Sequence, residues 1–280
     1  MKLAHLIAKT GEHEATIQVL CHLLEAERTN VFLVNDISET VAKQTIEIIK
    51  QYKKGTPLAY LLGSTYFNNL KFLVTKDVLV PRHDTEILVE WAQKNMLADY
   101  LVTGGVDTYK VLDLCCGSGI IGISMSYIAD YLTQRHKDFK CEITASDYSE
   151  LALDVASKNA TLHNADINFV HSDLLEDIHG KFDMIISNPP YVRTMDIGVE
   201  DSRVLQEPRM ALDGGLDGLY FYRRILATAK KNLKPNGMIL FEIGYDQAKA
   251  VKDIASKLGY RNITVYKDLA NHDRVVTMRV

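Results

Sequence analysis

Residues 111–119 read Val-Leu-Asp-Leu-Cys-Cys-Gly-Ser-Gly, an apolar run that leads into a turn with two glycines. The run predicts a buried strand, and the glycines allow the backbone of the turn to approach a ligand closely. A helical pattern follows at residues 120–131. Because Gly117, Gly119 and Gly122 also match G-x-G-x-x-G, a nicotinamide dinucleotide site and a plain strand-to-helix turn are both open alternatives here.

Strands and helices alternate along the chain from about residue 110. Strands are predicted at residues 111–115, 142–146, 167–171, 182–187, 238–243, 263–266 and 275–280, and helices at residues 120–131, 150–163, 220–232 and 246–258. This alternation is typical of an open α/β sheet with helices on both faces. Such sheets bind ligands beyond the carboxyl ends of their strands, near the point where the strand order reverses.

Polar side chains stand at the ends of the central strands. Asp113 precedes the glycine turn, Asp147 ends the second strand, and Asp173 follows the third. Asp147 can accept hydrogen bonds from both hydroxyls of a ribose. Asp173 has two open interpretations, contact with an adenine amino group or capping of a turn. Asn188 follows the fourth strand, so all four side chains are expected to line one crevice.

The fourth strand ends at Asn188-Pro189-Pro190-Tyr191. Neither proline can donate to a strand ladder, and both stiffen the backbone, so the Asn188 amide and the neighbouring carbonyls point in fixed directions. A side-chain amide oxygen, a rigid carbonyl and the flat ring of Tyr191 suit the task of holding a planar NH2 group. The alternative is that Asn-Pro simply begins a turn.

S-adenosylmethionine fits this crevice better than a dinucleotide does. It has an adenosine for Asp147 and the glycine turn, but it has no pyrophosphate. Its ammonium and sulfonium groups are cationic, so Asp113 is a sensible neighbour for it, whereas a pyrophosphate would be repelled by that carboxylate. Asn188 would then face the methyl group.

Composition and charge narrow the class of protein. The chain has 280 residues, of which 47% are hydrophobic and 24% charged, as in soluble globular proteins. A formal net charge of −4 weighs against a partner bound mainly through phosphates. No apolar run is long enough to span a bilayer, and the start does not resemble a signal peptide. The four cysteines show no C-x-x-C spacing, so we expect no metal site and a cytoplasmic location.

Residues 1–63 are predicted to form a small helical bundle. One amphipathic helix is expected at residues 15–28, and Asp36 with Glu39 can form a capping box for the next. Two short strands around an Asn-Asn turn then predict a β-hairpin that links the bundle to the sheet. The predicted division is therefore a helical domain at 1–63 and a hairpin plus sheet domain at 64–280.

Taken together, these motifs resemble those of class I methyltransferases that act on amino nitrogens. Further stretches are similar to the peptide chain release factor glutamine methyltransferase (PrmC/HemK) family, and they read PLAYLLG at 57–63, VPRHDTE at 80–86, EPRMALDGGLDG at 207–218 and DRVV at 273–276. The resemblance covers nearly the whole chain. It implies a Rossmann-like fold and methylation, by S-adenosylmethionine, of the N5 amide nitrogen of the glutamine in the Gly-Gly-Gln motif of release factors.

The resemblance also implies roles for individual residues. The predicted cofactor contacts are Asp113, Cys115, Cys116, Gly117, Ser118, Gly119, Asp147, Asp173, Leu174 and Asn188. The predicted substrate contacts are Asn188, Pro189, Pro190, Tyr191 and Arg82, of which Asn188, Pro189 and Tyr191 are the catalytic ones. The helical bundle would help to grip the release factor, and we expect a monomer with no direct nucleic acid contact and no membrane partner.

Positioning is the expected mechanism, because an amide nitrogen is a poor nucleophile and no strong base stands beside Asn188. The Asn188 side-chain oxygen and the Pro189 carbonyl would accept the two N–H hydrogens of the substrate amide, and Tyr191 would fix its plane. Cys115 replaces the first glycine of the usual loop, so we expect a less tight turn.

Two other function classes stay open on the sequence alone. A nucleic acid adenine methyltransferase shares the Asn-Pro-Pro-Tyr motif, but it needs a basic groove. A non-catalytic binding module with the same fold is the other alternative. Residues 207–218 could be a loop that closes over the active site, or a structural ion pair and turn.

Overall fold

The computed structural model describes residues 1–34, 36–103, 108–199 and 201–280. Its N-terminal part is helical, with α1 Leu3–Thr10, α2 His13–Leu23, α3 Arg28–Leu33, α4 Glu39–Lys53 and α5 Leu58–Leu62. Apolar residues on the inner sides of these helices share a small core that includes Leu6, Ile17, Leu20 and Val31. This confirms the predicted helical N-terminal region.

Two local predictions in this region are wrong. The helix expected at residues 15–28 ends at Leu23, and α3 begins at Arg28. The N-cap of α4 is Ser38, whose Oγ accepts a hydrogen bond from the Val41 N–H at 3.2 Å. Asp36 does not form the predicted capping box, because it lies two positions before the N-cap and Glu39 is the first residue of α4. Its carboxylate pairs instead with the N-terminal ammonium at 3.1 Å.

The predicted hairpin is confirmed as β1 Ser64–Phe67 paired antiparallel with β2 Leu70–Leu73. Asn68 and Asn69 form its turn with φ values of 47° and 60°, a conformation that asparagine tolerates better than most residues. Phe67 and Phe72 are buried in the core of the main sheet, so the hairpin is anchored to that sheet.

The remaining elements alternate as predicted. They are α6 Thr85–Thr103, β3 Tyr109–Leu114, α7 Ile120–Arg135, β4 Cys141–Asp147, α8 Glu150–His163, β5 Asn168–His171, β6 Phe182–Ser187, α9 Tyr220–Thr228, β7 Leu233–Glu242, α10 Ala248–Lys257, β8 Arg261–Lys267 and β9 Asp273–Arg279. Short 3-10 turns lie at Ser202–Gln206, Arg209–Ala211 and Ala229–Asn232. This confirms the α/β, Rossmann-like arrangement expected from the sequence.

Among the described residues, seven strands form one sheet in the order β5-β4-β3-β6-β7-β9-β8. The strands are parallel except for β9, which runs antiparallel to both β7 and β8. The strand order reverses between β3 and β6, so a crevice is expected beyond the carboxyl ends of these two strands. The glycine turn follows β3 and Asn188 follows β6, which brings the two main motifs to that point.

The sheet is covered on both faces. One core contains side chains of α6 and α7, such as Leu88 and Ile121, and the other contains side chains of α9 and α10, such as Ile225 and Val251. Successive side chains of a strand point to opposite faces, and this alternation decides where each polar residue near the crevice points.

Candidate active site

A cavity of about 370 Å³ opens where the carboxyl ends of β3, β4, β5 and β6 meet. Volumes of this order are typical of sites for small ligands and cofactors. The predicted site residues that line this cavity are Arg82, Cys115, Cys116, Gly117, Ser118, Asp147, Asp173, Leu174, Asn188 and Pro190. Those that do not line it are Asp113, Gly119, Pro189 and Tyr191. The structure therefore brings most of the predicted residues together at one place.

The turn after β3 follows a left-handed path. The φ angle is 62° at Cys115, 54° at Gly117 and 81° at Gly119. A Cβ at Gly119 would lie 3.1 Å from the Cβ of Ala156, so a glycine lets α7 begin close to α8. Cys115 keeps the conformation that a glycine would adopt more easily. We therefore expect backbone strain of about 1–2 kcal/mol at this position, and the less tight turn expected from the sequence stays a prediction.

Asp147 joins two of the loops that form the cavity wall. Its Oδ2 accepts a hydrogen bond from the Gly117 N–H, and its Oδ1 accepts one from the Ser149 N–H, both at 2.9 Å. Burial raises the pKa of Asp147, while these backbone donors act in the opposite direction. The carboxylate is thus held in a fixed orientation, and each oxygen keeps a lone pair for a ligand.

Asp113 lies behind the cavity wall. Leu112 and Leu114 belong to the core under α9 and α10, so Asp113 shares the opposite face of β3 with Val111. There its Oδ2 accepts a hydrogen bond from the Gly122 N–H at 2.8 Å, and burial raises its pKa to about 7. Its Oδ1 has no hydrogen-bond partner among the described residues. The alternation of side chains along β3 does not support the predicted direct contact with a cofactor.

Asp173 has a partner that neither of the two predicted interpretations included. Its two carboxylate oxygens accept hydrogen bonds from Arg224 of α9, both at 3.0 Å, and Arg224 also lines the cavity. Leu174 follows with a φ of 55°. The Ser172 hydroxyl donates to the Leu174 carbonyl at 2.9 Å and stabilises this unusual turn.

Asn188 is held by the first residue of α6. Its Nδ2 donates a hydrogen bond to Thr85 Oγ1 at 3.2 Å, and both residues line the cavity. Pro189 is buried, whereas Pro190 lies on the cavity wall. The nitrogen of the Asn188 amide is therefore engaged within the protein, and its oxygen is available to a ligand.

Tyr191 contacts the end of β7 and the residue before α10. Its hydroxyl donates to Glu242 Oε1 at 3.2 Å, and its carbonyl accepts a hydrogen bond from Gln247 Nε2 at 2.9 Å. Its side chain packs against the core under α9 and α10. Burial raises the pKa of Tyr191 well above its usual range, so the hydroxyl stays protonated. Tyr191 does not line the cavity, so the structure gives no support for the predicted stacking of its ring on a substrate amide. That role stays a prediction.

Arg82 is tied to the segment at residues 207–218. The buried Glu207 carboxylate accepts hydrogen bonds from Arg82 Nη2 at 2.6 Å and from the Val80 N–H at 2.9 Å. The predicted alternative of a structural ion pair thus describes the start of this segment. Arg82 is still 39% exposed and lines the cavity, so it can also meet a substrate.

The rest of that segment packs directly on the Asn-Pro-Pro-Tyr motif. The Val192 N–H donates to the Leu212 carbonyl at 2.9 Å, and the Gly214 N–H donates to the Val192 carbonyl at 2.8 Å. A Cβ at Gly214 would lie only 2.7 Å from Tyr191 Cα and 2.8 Å from the Pro190 carbonyl oxygen. Part of the segment also lines the cavity, at Pro208, Met210, Ala211 and Asp213. These residues therefore form part of the cavity wall, and closure of the segment over the active site stays a prediction.

Three residues near the predicted site were missed in the sequence: Thr85, Arg224 and Glu242. Thr85 lies within the stretch at residues 80–86 that resembles the family, but its residue type alone indicates no role. Glu242 ends β7 and could have been found by the rule that identified Asp147, since it is a polar residue at the carboxyl end of a predicted strand. Arg224 had no such signal, because an arginine on an amphipathic helix usually faces solvent.

Three broader findings concern the described residues only. None of their helices is both long and apolar enough to cross a membrane. They contain no group of three or more His, Cys, Asp and Glu side chains arranged to hold a metal ion. Their four cysteines are free thiols.

Comparison with known families gives the class of the protein. Residues 92–261 match the family model of the methyltransferase small domain, and residues 7–63 match that of the PrmC N-terminal domain. The crystal structure of the hMettl16 catalytic domain, in complex with MAT2A 3'UTR hairpin 6, is similar in fold. Its TM-score is 0.56 at 13% identity, covering 88% of this chain and 83% of that chain. The chain is a methyltransferase with the class I fold.

Individual relatives give the particular family. The release factor glutamine methyltransferase of Clostridium acetobutylicum is 39% identical over 268 residues, which cover 92% of this chain and 88% of the relative. That of Thermodesulfovibrio yellowstonii is 36% identical over 268 residues, covering 94% and 90%. The chain belongs to the family of release factor glutamine methyltransferases. This confirms the resemblance noted in the sequence. Membership of a methyltransferase family also confirms the prediction that the cofactor is S-adenosylmethionine.

Proposed function

We propose that this protein transfers a methyl group from S-adenosylmethionine to the side-chain amide nitrogen, N5, of the glutamine in the Gly-Gly-Gln motif of peptide chain release factors. The reaction would support translation termination. The observation that carries the proposal is the orientation of the Asn188 amide. Its nitrogen donates to Thr85 Oγ1 at 3.2 Å, so its oxygen is left to accept a hydrogen bond from a ligand in the cavity. An acceptor held in this way suits a substrate NH2 group.

The cavity wall fits the cofactor. Asp147 presents a carboxylate, fixed by two backbone N–H groups, whose remaining lone pairs can accept from the two ribose hydroxyls. The turn at residues 115–119 brings backbone close to the ligand, and Asp173 and Leu174 lie further along the wall. The negative charge of Asp147 also suits the cationic groups of S-adenosylmethionine. When bound there, this cofactor supplies an electrophilic methyl group on its sulfonium.

The residues of the chain act on the amide by positioning it. The Asn188 side-chain oxygen accepts one N–H hydrogen of the glutamine amide, which concentrates electron density on its nitrogen. Pro189 does not line the cavity, so the second acceptor expected from the sequence, its carbonyl, stays a prediction. The two prolines keep the backbone after Asn188 in place, so little reorganisation is needed during the reaction. Orientation of this kind lowers barriers by up to about 7–11 kcal/mol in ideal cases. The proton lost by the nitrogen passes to water.

A second cavity, of about 1420 Å³, supports the recognition of a protein substrate. Its wall includes Tyr52 of α4 and Tyr66 of the hairpin, and Arg82 lines both this cavity and the first one. A loop of the release factor can therefore contact the N-terminal helices while its glutamine enters the first cavity. On this proposal residues 1–63 form the recognition domain, and residues 64–280 form the hairpin and methyltransferase domain.

We further propose that the enzyme works in the cytoplasm as a monomer, without direct nucleic acid contact and without a membrane partner. The net charge of −4 supports a protein substrate over a nucleic acid, since nucleic acid surfaces usually require a basic face. Four free thiols fit a reducing compartment.

Transfer of a labelled methyl group from S-adenosylmethionine to a purified release factor tests the function. The matched control is the same release factor with the glutamine of its Gly-Gly-Gln motif changed to alanine, and duplex DNA is assayed in parallel. We expect label only in the unaltered release factor. Equal labelling of the alanine variant would reject glutamine as the acceptor, and labelling of DNA alone would establish an adenine methyltransferase instead.

A further inference from the structure

Glu242, at the carboxyl end of β7, is a buried carboxylate that the proposed positioning of the substrate does not use. It is fully buried, and its Oε1 accepts a hydrogen bond from the Tyr191 hydroxyl at 3.2 Å. Its Oε2 has no hydrogen-bond partner among the described residues. Burying an unpaired carboxylate oxygen costs free energy, so its presence beside the site requires a physical explanation.

Thr85 contacts Asn188, and Glu242 lies next to Asn188 in the sheet. The Thr85 hydroxyl oxygen accepts a hydrogen bond from Asn188 Nδ2 at 3.2 Å, and Ser187 of β6 pairs with Phe241 of β7, so the residues that follow, Asn188 and Glu242, end neighbouring strands side by side. The Thr85 hydroxyl also lowers the pKa of the Glu242 carboxylate. A hydroxyl that accepts one hydrogen bond still has its own proton to donate. The unpartnered Oε2 of Glu242 is an acceptor for that proton. One spare proton and one spare acceptor therefore lie next to the Asn188 amide.

We propose that Glu242, acting through Thr85, fixes which way round the Asn188 amide is held, and that Glu242 and Thr85 are thus positioning residues for the methyl transfer. The inference rests on the proposed function. When the Thr85 proton is directed to Glu242, only the nitrogen of the Asn188 amide finds an acceptor at Thr85. The amide oxygen then points to the substrate.

The reversed amide shows why this direction matters. If the Asn188 oxygen faced Thr85, it would compete with Glu242 for the single hydroxyl proton. The NH2 group of Asn188 would then face the substrate NH2 group, and two donors cannot hydrogen-bond to each other. A carboxylate at position 242 accepts but does not donate. It therefore favours the series of hydrogen bonds in which Asn188 donates to Thr85 and Thr85 donates to Glu242.

The surroundings of Glu242 predict a dependence on pH. Its neighbours are Arg274 of β9, Asp84 next to α6, Tyr191, and Tyr222 of α9, whose hydroxyl donates to the Glu242 carbonyl at 2.8 Å. Burial raises the pKa of the Glu242 side chain to about 7, although Thr85, Arg274 and Tyr191 oppose this effect. A protonated Glu242 no longer requires the Thr85 proton. We therefore expect kcat to fall as the pH decreases through about 7.

The matched pair Thr85→Val and Thr85→Ser tests the inference. Valine has nearly the shape of threonine but no hydroxyl, whereas serine keeps the hydroxyl. With the release factor as substrate, we expect kcat to fall by roughly 10- to 100-fold in Thr85→Val and to recover most of that loss in Thr85→Ser. The Kd of S-adenosylmethionine, measured by calorimetry, should change by less than about threefold in both, because other residues contact the cofactor.

Glu242→Gln is the second variant. A glutamine can donate to Thr85 Oγ1, so Thr85 can then donate to the Asn188 oxygen and hold the amide the wrong way round. We expect this variant to lower kcat roughly tenfold and to remove the fall in kcat at acidic pH. A kcat for Thr85→Val close to that of the wild type, or a Thr85→Ser enzyme as slow as Thr85→Val, would overturn the inference and leave the proposed function intact. A wild type that methylates no release factor would reject the proposed function itself.

Discussion

The two ends of the cavity are built in different ways. At the end assigned to the cofactor, the turn at residues 115–119 follows β3, Asp147 ends β4, and the Gly117 N–H donates directly to the Asp147 carboxylate. At the end assigned to the substrate amide, Asn188 is oriented by Thr85, 103 positions away, and Tyr191 is held by Glu242 and Gln247. The first end depends mainly on the conformation of loops that follow strands, although Arg224 of α9 also holds Asp173, and the second depends on packing between distant segments.

Asn188→Ala provides the largest expected effect and tests whether the two ends are separable. The substitution removes the acceptor for the substrate amide and leaves the Asp147 end intact. We expect kcat to fall by at least about 10³-fold, while the Kd of S-adenosylmethionine rises only modestly. Single-turnover methylation and calorimetry measure the two effects. Asn168→Ala, at the exposed start of β5, is the matched control, and turnover within a few-fold of wild type in Asn188→Ala would remove Asn188 from its assigned role.

Gly214→Ala tests the packing of the substrate end. Its Cβ would lie 2.7 Å from Tyr191 Cα, so the Asn-Pro-Pro-Tyr backbone must shift to accept it. We expect kcat to fall by roughly 10- to 100-fold and the free energy of unfolding to drop by about 1–3 kcal/mol. Steady-state kinetics and urea unfolding measure both. Gly180→Ala is the control, because a Cβ there meets no atom within 4 Å although φ is 100°. A loss of kcat in both variants would point to general strain instead.

The same contrast explains how much could be predicted from the sequence. The strands, the helix at Glu150–His163 and the positions of Asp147 and Asn188 follow from apolar patterns and from the rule that ligands bind at strand ends. The pairing of Asn188 with Thr85 could not be predicted, because periodicity gives no register between segments 103 positions apart. Asp113 shows a third case, in which the pattern was available: alternation along β3 places its side chain away from the cavity.

Asp147→Ala tests the cofactor end. The ribose would lose hydrogen bonds to a charged group, and the Gly117 and Ser149 N–H groups would lose their shared acceptor. We expect the Kd of S-adenosylmethionine to rise by roughly 10- to 100-fold, which corresponds to about 1.5–3 kcal/mol. Calorimetric titration measures it, with Asp154→Ala on the exposed side of α8 as the control. An unchanged Kd would mean that Asp147 holds only the loops and not the cofactor.

Cys115→Gly is expected to have the smallest effect and isolates backbone strain in the turn after β3. Cys115 adopts a φ of 62°, which costs a residue with a Cβ about 1–2 kcal/mol, whereas glycine adopts it freely but loses more chain entropy on folding. Cys115→Ala is the matched partner, since both variants lack the thiol and only alanine keeps the Cβ. We expect the glycine variant to be more stable than the alanine variant by about 0.5–1 kcal/mol in urea unfolding. If alanine were the more stable of the two, the left-handed turn would not be a source of strain, and the cofactor end would depend on packing as the substrate end does.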